Sequence, residues 1–393
     1  MVFQNMRVAI DAGPLDSGHK VRGVGFYTKS LIDSLQNLNV NGKRLNIDAF
    51  NFEKEPMKVK TGYYDIIHIP YFDPFRITIP KEKSGKLIIT IHDVTPLIYP
   101  NQYVPGIRGQ LQFLRHKKLL QTVDGIITDT ETSKKDIVRL LDIPEKKITP
   151  IYLAPRSIFK PIKDRKSLVD TQKKYKLPNK FVVYVGDVNY NKNIATLIKA
   201  CDIADVSLVI VGKQAGEIGT KNKKQKTISG PQDIIRMWTG KPHPEEAHWT
   251  ELEELFKKKH VLRLGFVPDE ELVEIFNLAT LYCQPSLYEG FGLVPLEAMA
   301  SGTAVLNAKT QSLVEVSGDA AIYADPKNEK EMAKQIERVS RDAYLRADLI
   351  RKGERRVKEF SWDKTAHETL HVYEGVYQDE RKISRRAKNS NLQ

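Results

Sequence analysis

Residues 284–306 read Gln-Pro-Ser-Leu-Tyr-Glu-Gly-Phe-Gly-Leu-Val-Pro-Leu-Glu-Ala-Met-Ala-Ser-Gly-Thr-Ala-Val-Leu, and this stretch decides the fold prediction. An apolar run, Leu281–Gln284, predicts a strand that leads into a polar turn. A helix is expected to begin near Leu293, because Pro295 suits a first helical turn that needs no backbone N–H. Gly302 is a typical helix end, and an apolar strand follows it. Units of this kind build a parallel sheet covered by helices.

The same stretch predicts an anion-binding site. Gly290 and Gly292 let a ligand approach the backbone closely, and the helix that follows offers unpaired N–H groups at its N-terminus. Glu289 in the turn and Glu297 in the helix flank this position. A plain crossover with two surface glutamates would explain the proline and the final glycine. It would not explain paired glycines directly before the helix, so we favour a binding site.

Strand and helix patterns alternate through both halves of the chain. A length of 393 residues favours two domains, each with its own core. The alternation predicts that both are α/β domains with parallel sheets covered by helices. The expected segments are an N-terminal domain at 1–160, a linker at 161–178, a C-terminal domain at 179–360, a C-terminal helix at 361–380 and a basic disordered tail at 381–393. Residues 213–258 break the rhythm and are expected to form a partly mobile excursion.

Composition limits the partners and the compartment. The formal net charge of +13 indicates an anionic partner, which can be nucleic acid, an anionic membrane face or a phosphorylated ligand. No apolar run approaches the roughly 20 residues that span a bilayer. Cys201 and Cys283 are too few for a disulfide framework and are expected to be buried in a reducing compartment. We therefore expect a cytoplasmic protein.

The motif Glu289-Gly-Phe-Gly-Leu-x-x-x-Glu297-Ala-Met-Ala-Ser-Gly-Thr resembles that of the large retaining family 4 of nucleotide-sugar glycosyltransferases. The resemblance implies the GT-B fold: two Rossmann-like domains facing across a cleft, with the C-terminal helix returning to the N-terminal domain. It places Glu289 beside the transferred sugar and Glu297 on the ribose hydroxyls. It also implies that the backbone from Gly290 through Phe291 and Gly292 to Leu293 binds the donor.

A second element, Tyr184-Val-Gly-Asp-Val-Asn-Tyr-Asn-Lys-Asn193, resembles the family's strand–glycine–turn segment. The resemblance implies that Gly186 lies at the donor and that Lys192 neutralises the leaving diphosphate. Many relatives carry arginine directly after the glycine, where this chain has Asp187. The shorter turn resembles a mannosyltransferase-like subgroup in which phosphate stabilisation depends more heavily on the lysine.

Two further elements lie in the first half of the chain. Gly23-Val-Gly-Phe-Tyr-Thr28 resembles the subgroup's glycine loop, which implies that Gly23 or Gly25 contacts the diphosphate; an ordinary turn glycine is an equally good interpretation. His92, in Thr90-Ile-His-Asp-Val, resembles the family's histidine, which contacts the sugar or positions the acceptor. A hydrogen-bonded histidine at a strand end is the alternative.

The remaining candidates concern the base and a membrane. Gly265-Phe-Val-Pro-Asp269 resembles the family's segment beside the nucleotide base, so that Val267 would read the base edge, while a helix cap at Asp269 is the simpler interpretation. The predicted helix 107–123 carries five basic or histidine side chains and an apolar stripe. It can rest on an anionic membrane or be a packed surface helix with a solvated basic face.

The predicted function is retaining, metal-independent hexosyl transfer with His92, Lys192 and Glu289 as catalytic residues. No cofactor is expected beyond the nucleotide diphosphate sugar, for which GDP-mannose is favoured and a UDP-hexose is next. The expected acceptor is a glycan or lipid-linked glycan of a surface polysaccharide, and the expected location is cytoplasmic or peripheral on the cytoplasmic membrane face. The alternatives are a small soluble sugar acceptor, a non-catalytic GT-B scaffold and a nucleic-acid-binding protein.

Overall fold

The computed structural model describes residues 6–18, 23–40, 42–80, 84–219 and 243–390, the last twelve of them by backbone alone. The chain divides into two compact units. Unit 1 comprises Met1–Val94, Ile107–Leu153 and Phe360–Gln393, and unit 2 comprises Thr95–Gly106 and Ala154–Glu359. In the described ranges, no helix is both long and apolar enough to cross a membrane.

Unit 1 is built on a parallel sheet of six strands in the order β4-β1-β5-β6-β7-β8. The central strands β1, β5, β6 and β7 are apolar and largely buried, as expected for a parallel sheet with helices on both faces. A small antiparallel pair, β2 and β3, precedes β4. The strands are β1 (Arg7–Asp11), β2 (Asn39–Val40), β3 (Lys43–Arg44), β4 (Asn46–Phe50), β5 (Ile66–Ile69), β6 (Lys86–Thr90), β7 (Gly125–Thr128) and β8 (Ile148–Pro150).

The helices up to residue 141 are α1 (Gly23–Asn37), α2 (Pro56–Lys60), α3 (Thr95–Ile98), α4 (Gly106–Leu120) and α5 (Glu131–Leu141). Helix α5 is capped by Thr130, whose Oγ1 accepts the backbone N–H of Ser133 at 3.0 Å. Helix α1 starts three residues earlier than its apolar periodicity predicts, because its first turn contains two glycines that add nothing to the apolar stripe.

The last helix of the chain belongs to unit 1, which confirms the predicted return of the C-terminal helix to the N-terminal domain. Thr365 Oγ1 donates to the carbonyl of Tyr152 at 2.7 Å, and Tyr373 OH lies 2.6 Å from Nδ1 of the buried His68. The helix runs from Trp362 to Ser390, so residues 381–390 are helical where the composition predicts a disordered tail. Arg, Lys and Ala are good helix formers, which lets the helix continue.

Unit 2 has its own six-stranded parallel sheet in the order β11-β10-β9-β12-β13-β14. Numbered within the unit, this is the 3-2-1-4-5-6 order of a Rossmann fold, and the order reverses between β9 and β12. Its strands are β9 (Phe181–Val185), β10 (Ser207–Val211), β11 (Val261–Gly265), β12 (Leu281–Gln284), β13 (Val305–Ala308) and β14 (Ile322–Ala324).

Helices cover this sheet and complete the chain. The described part of residues 213–258 contains two of them, while residues 220–242 of the predicted excursion lie outside the described residues. The helices are α6 (Arg165–Lys174), α7 (Ile194–Ile203), α8 (Lys213–Glu217), α9 (Pro244–Leu255), α10 (Asp269–Leu278), α11 (Leu293–Ala300), α12 (Gln311–Ser317), α13 (Glu329–Arg341), α14 (Ala343–Val357) and α15 (Trp362–Ser390).

The segment 161–178, expected to be a linker, instead contains helix α6. Asp164 caps the helix by accepting the N–H of Lys166 at 2.9 Å, and Thr171 and Tyr175 donate to Glu274 and Glu271 of α10. Helix α6 thus packs on α10 largely through polar contacts. A helix held in this way leaves no wide apolar stripe in the sequence, which is why its pattern resembles a linker.

A second departure from the expected domain boundaries is the segment Thr95–Gly106, which clusters with unit 2 although the chain on both sides belongs to unit 1. Tyr103 OH donates to Asn191 Oδ1 at 2.6 Å, and Tyr99 OH donates to the carbonyl of Leu287 at 3.2 Å. The rings of Tyr99 and Tyr190 also meet edge to face. Two tyrosines therefore attach this segment to the turns that follow β9 and β12.

Candidate functional site

Lys192 and Glu289 form an ion pair at the point where the strand order of unit 2 reverses. Lys192 ends the turn after β9, and Glu289 lies in the turn after β12. Lys192 Nζ lies 2.7 Å from Glu289 Oε1 and 2.9 Å from Oε2. The two side chains are 23% and 12% exposed, so the pair is largely shielded but open to one side. Ligands of α/β sheets bind at such carboxyl ends, at the switch point.

Two further residues hold the Glu289 carboxylate. Gln284 Nε2 and Ser286 Oγ donate to Oε1 at 2.8 and 2.6 Å, in addition to the bond from Lys192. Tyr282 OH in turn donates to Gln284 Oε1. Burial raises the pKa of Tyr282 well above its ordinary value, so the phenol stays a donor. The sequence analysis missed these residues, although their polar side chains in an otherwise apolar strand were a signal.

Backbone conformation and close packing explain why glycines precede α11. Gly292 is the N-cap and has a φ of +98°, a conformation that side chains disfavour. A Cβ there would also lie 2.6 Å from Leu313 Cδ2. Ser312 Oγ donates to the Glu289 carbonyl at 2.7 Å and fixes the turn. The backbone from Gly290 to Leu293 therefore forms a close, rigid approach to the helix N-terminus, where N–H groups favour an anion.

Gly186 lies at the same edge of the sheet, but its own N–H is already used. It donates to the Val211 carbonyl at 2.9 Å, and the next strand end repeats this arrangement, with Gly212 N–H donating to the Gly265 carbonyl at 2.8 Å. A side chain at Gly212 would clash with the Gly186 carbonyl. Any contact of Gly186 with a ligand therefore depends on the small size of the glycine and not on its N–H.

Glu297 is buried in α11 and bound to an arginine that the sequence analysis did not single out. Arg156 Nε donates to Glu297 Oε1 at 2.8 Å, and Arg156 Nη1 donates to Asp269 Oδ2 at 2.6 Å. Burial raises the pKa of Glu297 to about 7, although Arg156 opposes the rise. Asp269 is the first residue of α10 and pairs with Arg156, while Pro268 occupies the N-cap, so the predicted capping role is wrong. Val267 lies buried just before it.

In unit 1, His92 follows β6 and is held by Asp129, which follows the neighbouring β7. Its Nδ1 lies 2.9 Å from Asp129 Oδ2, and its Nε2 lies 3.3 Å from the Pro70 carbonyl. Burial alone would lower the pKa of His92, but the charge and hydrogen bond of Asp129 raise it overall. Asp129 was missed by the sequence analysis. Its position after a parallel strand next to that of His92 was the available signal.

The predicted glycines of unit 1 lie in the helix that contacts this histidine. Gly23 and Gly25 form the first turn of α1, the first exposed and the second buried. Tyr27 of the same helix packs edge to face on His92 with ring centroids 4.5 Å apart, and its hydroxyl bonds to Thr90. The structure thus gathers the predicted residues into two groups, Gly23, Gly25 and His92 in unit 1 and the others, Gly186 to Glu297, in unit 2.

Fold and site together define an α/β protein with two Rossmann-like units, in which a helix N-terminus follows an ion pair at the switch point of the second sheet. The family model described as Glycosyl transferases group 1 matches residues 169–356, and the model described as Glycosyltransferase Family 4 matches residues 21–154. The chain belongs to the family 4 glycosyltransferases. The predicted family is therefore confirmed.

Curated relatives include mannosyltransferases. The chain is 28% identical to O-antigen chain mannosyltransferase B of Escherichia coli over 291 residues, which are 73% of this chain and 70% of the relative. It is 24% identical to the serotype-specific mannosyltransferase WbdA of Escherichia coli over 334 residues, 81% of this chain. That match spans only 38% of WbdA.

Solved structures agree on the fold. Sucrose-phosphate synthase from Thermosynechococcus elongatus superposes with a TM-score of 0.65 at 18% identity, covering 95% of this chain and all of the other. Anabaena HepE in complex with UDP and glucose gives 0.65 at 16% identity, covering 93% and 99%. WaaG, a glycosyltransferase involved in lipopolysaccharide biosynthesis, gives 0.61 at 10% identity with the same coverage. The predicted α/β GT-B fold is confirmed.

Proposed function

We propose that this chain is a retaining hexosyltransferase that moves a hexose from a nucleotide diphosphate sugar to a glycan or lipid-linked glycan acceptor in surface polysaccharide biosynthesis. Mannose from GDP-mannose is the favoured donor, and a UDP-hexose is the next. The names of the Escherichia coli mannosyltransferases support mannose and a surface polysaccharide, and the UDP complex of HepE supports a nucleotide donor. The observation that carries the proposal is the Lys192–Glu289 pair beside the N-terminus of α11.

The proposed chemistry assigns different tasks to Lys192 and Glu289. The Lys192 ammonium and the N–H groups at the start of α11 stabilise the negative charge that develops on the departing diphosphate. Glu289 orients the sugar hydroxyls and stabilises positive character at the anomeric carbon. Since Lys192 already supplies a fixed cation at this position, we propose that the reaction needs no metal ion.

The proposed bond changes take place on one face of the sugar. An acceptor hydroxyl attacks the anomeric carbon as the bond from that carbon to the diphosphate oxygen breaks, and the electron pair leaves with the diphosphate. The acceptor proton passes to a phosphate oxygen. Retaining glycosidases instead use a carboxylate nucleophile about 5 Å from a second carboxyl group. Glu289 is engaged by Lys192, Gln284 and Ser286, which favours an orienting role over a nucleophilic one.

The other predicted residues keep their proposed roles. Glu297 accepts the ribose hydroxyls, and Val267 contacts the base. In unit 1, His92 contacts the sugar or positions the acceptor, and Gly23 or Gly25 contacts the diphosphate. The pairing of His92 with Asp129 supports this role, because a buried carboxylate fixes the orientation of an imidazole.

We also propose that helix α4 rests on an anionic membrane surface at the cytoplasmic face. Its exposed residues all fall on one helical face, where apolar and basic side chains surround Gln110: Ile107, Arg108, Leu111, Leu114, Arg115 and Lys118. Leu111 is 63% exposed and Leu114 is 59% exposed. This mixture suits the boundary between lipid headgroups and acyl chains. His116 does not contribute, because it is buried and accepts the Thr78 N–H at 2.9 Å.

The test is donor turnover by the purified chain with GDP-mannose, UDP-glucose and dTDP-glucose, with and without a lipid-linked glycan acceptor. Release of one nucleoside diphosphate together with an α-linked product supports the proposal, and NMR of the product gives the anomeric configuration. Turnover on free sugars alone would favour a small soluble acceptor. Binding without turnover would favour a non-catalytic scaffold, and salt-sensitive binding of nucleic acid without nucleotide-sugar binding would overturn the proposal.

A further inference from the structure

Arg156 joins two helix starts that the proposed function places on the nucleotide. Its Nε donates to Glu297 in α11 at 2.8 Å, and its Nη1 donates to Asp269, the first residue of α10, at 2.6 Å. The planar guanidinium has a fixed shape, so two bonds from different nitrogens fix the distance between the two carboxylates. Only one oxygen of Glu297, Oε1, accepts from Arg156 in this arrangement. A carboxylate has two oxygens, which leaves one for a hydroxyl.

The arginine is itself held rigidly. Its guanidinium lies over the Phe159 ring, 4.7 Å from the centroid, and Phe159 packs edge to face on Phe276 of α10. The backbone N–H of Ile162 donates to Asn277 Oδ1 of the same helix at 2.8 Å. The Arg156 side chain is 15% exposed, so solvent screens its charge only weakly. These contacts exceed what an ordinary surface ion pair requires.

We propose that Arg156 is a positioning residue for the nucleotide half of the donor: it holds the Glu297 carboxylate in place, favours its charged form, and fixes it relative to the Val267–Asp269 segment. This inference rests on the proposed function, in which Glu297 accepts the ribose hydroxyls. A diol binds well to a carboxylate only if that group is ionised and correctly oriented. Arg156 supplies both conditions without contacting the donor.

The electrostatic surroundings of Glu297 make this role measurable. Burial raises the pKa of Glu297, the Arg156 charge and hydrogen bond lower it, and the Asp269 carboxylate raises it, with a net value of about 7. Tyr282 also interacts with Glu297, but burial raises the pKa of that phenol so far that it remains neutral. Removing the arginine charge therefore moves the titration of Glu297 upward. At neutral pH the carboxyl group is then largely protonated, and ionisation returns only as the pH rises.

The experiment measures the KM for GDP-mannose, kcat and the affinity for GDP from pH 6 to 9, for the wild type, Arg156→Met, Arg156→Lys and Glu297→Gln. We expect Arg156→Met to raise the KM and the Kd of GDP about tenfold or more at pH 7, the scale of a lost charged hydrogen bond. We expect kcat to change much less, and the rise in KM to shrink at high pH. Arg156→Lys keeps the charge and should be intermediate.

Controls separate positioning from mere stability. Arg346→Met removes an arginine of α14 that donates to the carbonyls of Val339 and Ser340, and it should leave KM and Kd unchanged. The double variant Arg156→Met with Glu297→Gln should bind GDP no worse than Glu297→Gln alone, because one residue acts through the other. Additive losses, or a KM change that does not vary with pH, would overturn the inference.

The two proposals fail in different ways. If Glu297→Gln weakens GDP binding while Arg156→Met does not, the inference on Arg156 is wrong and the proposed function stands. If Glu297→Gln leaves GDP and UDP binding unchanged, the ribose assignment is wrong and the inference is overturned with it. Should Arg156→Met fail to fold, Arg156→Lys still tests the inference, because it keeps the charge but loses the fixed pair of hydrogen bonds, and an unchanged Kd for GDP would overturn it.

Discussion

Replacing Lys192 by alanine tests the central ion pair directly. The ammonium lies 2.7 and 2.9 Å from the two Glu289 oxygens in a position that is only 23% exposed, so its charge acts with little screening by solvent. Removing one preorganised donor from a site of developing charge lowers kcat by about 10²–10³-fold, or about 2.7–4 kcal/mol. We expect a loss of this size in nucleotide release with GDP-mannose.

The fold should survive this change. Glu289 Oε1 keeps its hydrogen bonds from Gln284 and Ser286, so the carboxylate is not left without donors. We expect a loss of about 1–3 kcal/mol in the free energy of unfolding, the range for a hydrogen bond to a charged group. Urea unfolding of the same preparations measures it and shows whether the lost turnover reflects lost structure.

Lys199→Ala is the matched control. Lys199 pairs with Glu251 at 2.8 Å in the same unit, but that pair lies on the surface, where ion pairs contribute little. It should change neither kcat nor stability appreciably. A Lys192→Ala enzyme with kcat within about threefold of the wild type would refute the assigned role, since that difference is under 1 kcal/mol.

Three other predictions follow from single contacts. Gly292→Ala should lower the free energy of unfolding in urea by about 1–3 kcal/mol, because φ is +98° and the new Cβ meets Leu313. Gly375→Ala in α15 is the control and should cost nothing, because a Cβ there meets nothing within 4 Å. Asp129→Asn removes the charge that raises the pKa of His92, so the imidazole should titrate at lower pH in NMR spectra; an unchanged or higher value would contradict the pairing. The double variant Leu111→Glu with Leu114→Glu should no longer cosediment with vesicles of mixed anionic and zwitterionic lipid, and its GDP binding should stay intact. The control is Val169→Glu, which changes an exposed apolar position on α6. Equal vesicle binding by the double variant and the control would argue against α4 as the membrane contact.

The strands were predictable because they are continuous apolar runs. Runs such as Phe181–Val185 and Leu281–Gln284 are buried on both faces, so local composition alone identifies them. The glycine turn before α11 was predictable for a similar reason, because backbone geometry there excludes side chains. Local sequence therefore predicted the fold class and the position of Glu289 before the helix, while the choice of Lys192 and the roles of both residues depended on resemblance.

What the sequence did not predict depends on contacts between distant positions. Arg156 and Glu297 are 141 residues apart, and His92 and Asp129 are 37 apart, so neither pairing leaves a local pattern. Helix α6 was missed because Thr171 and Tyr175 attach it to α10 through hydrogen bonds and not through an apolar stripe. Segment Thr95–Gly106 was assigned by continuity of the chain, which does not determine which core a loop joins.

The late position of α15 has a consequence for synthesis on the ribosome. The buried His68 in β5 meets Tyr373, and the Tyr152 carbonyl after β8 meets Thr365, so the sheet of unit 1 lacks these partners until almost the whole chain has been made. Unit 2 ends at Glu359 and has all its residues earlier. Although domains usually fold from the N-terminus as they emerge, here the second unit is complete before the first. A nascent chain arrested before residue 360 therefore contains every residue of unit 2 but still lacks the last segment of unit 1.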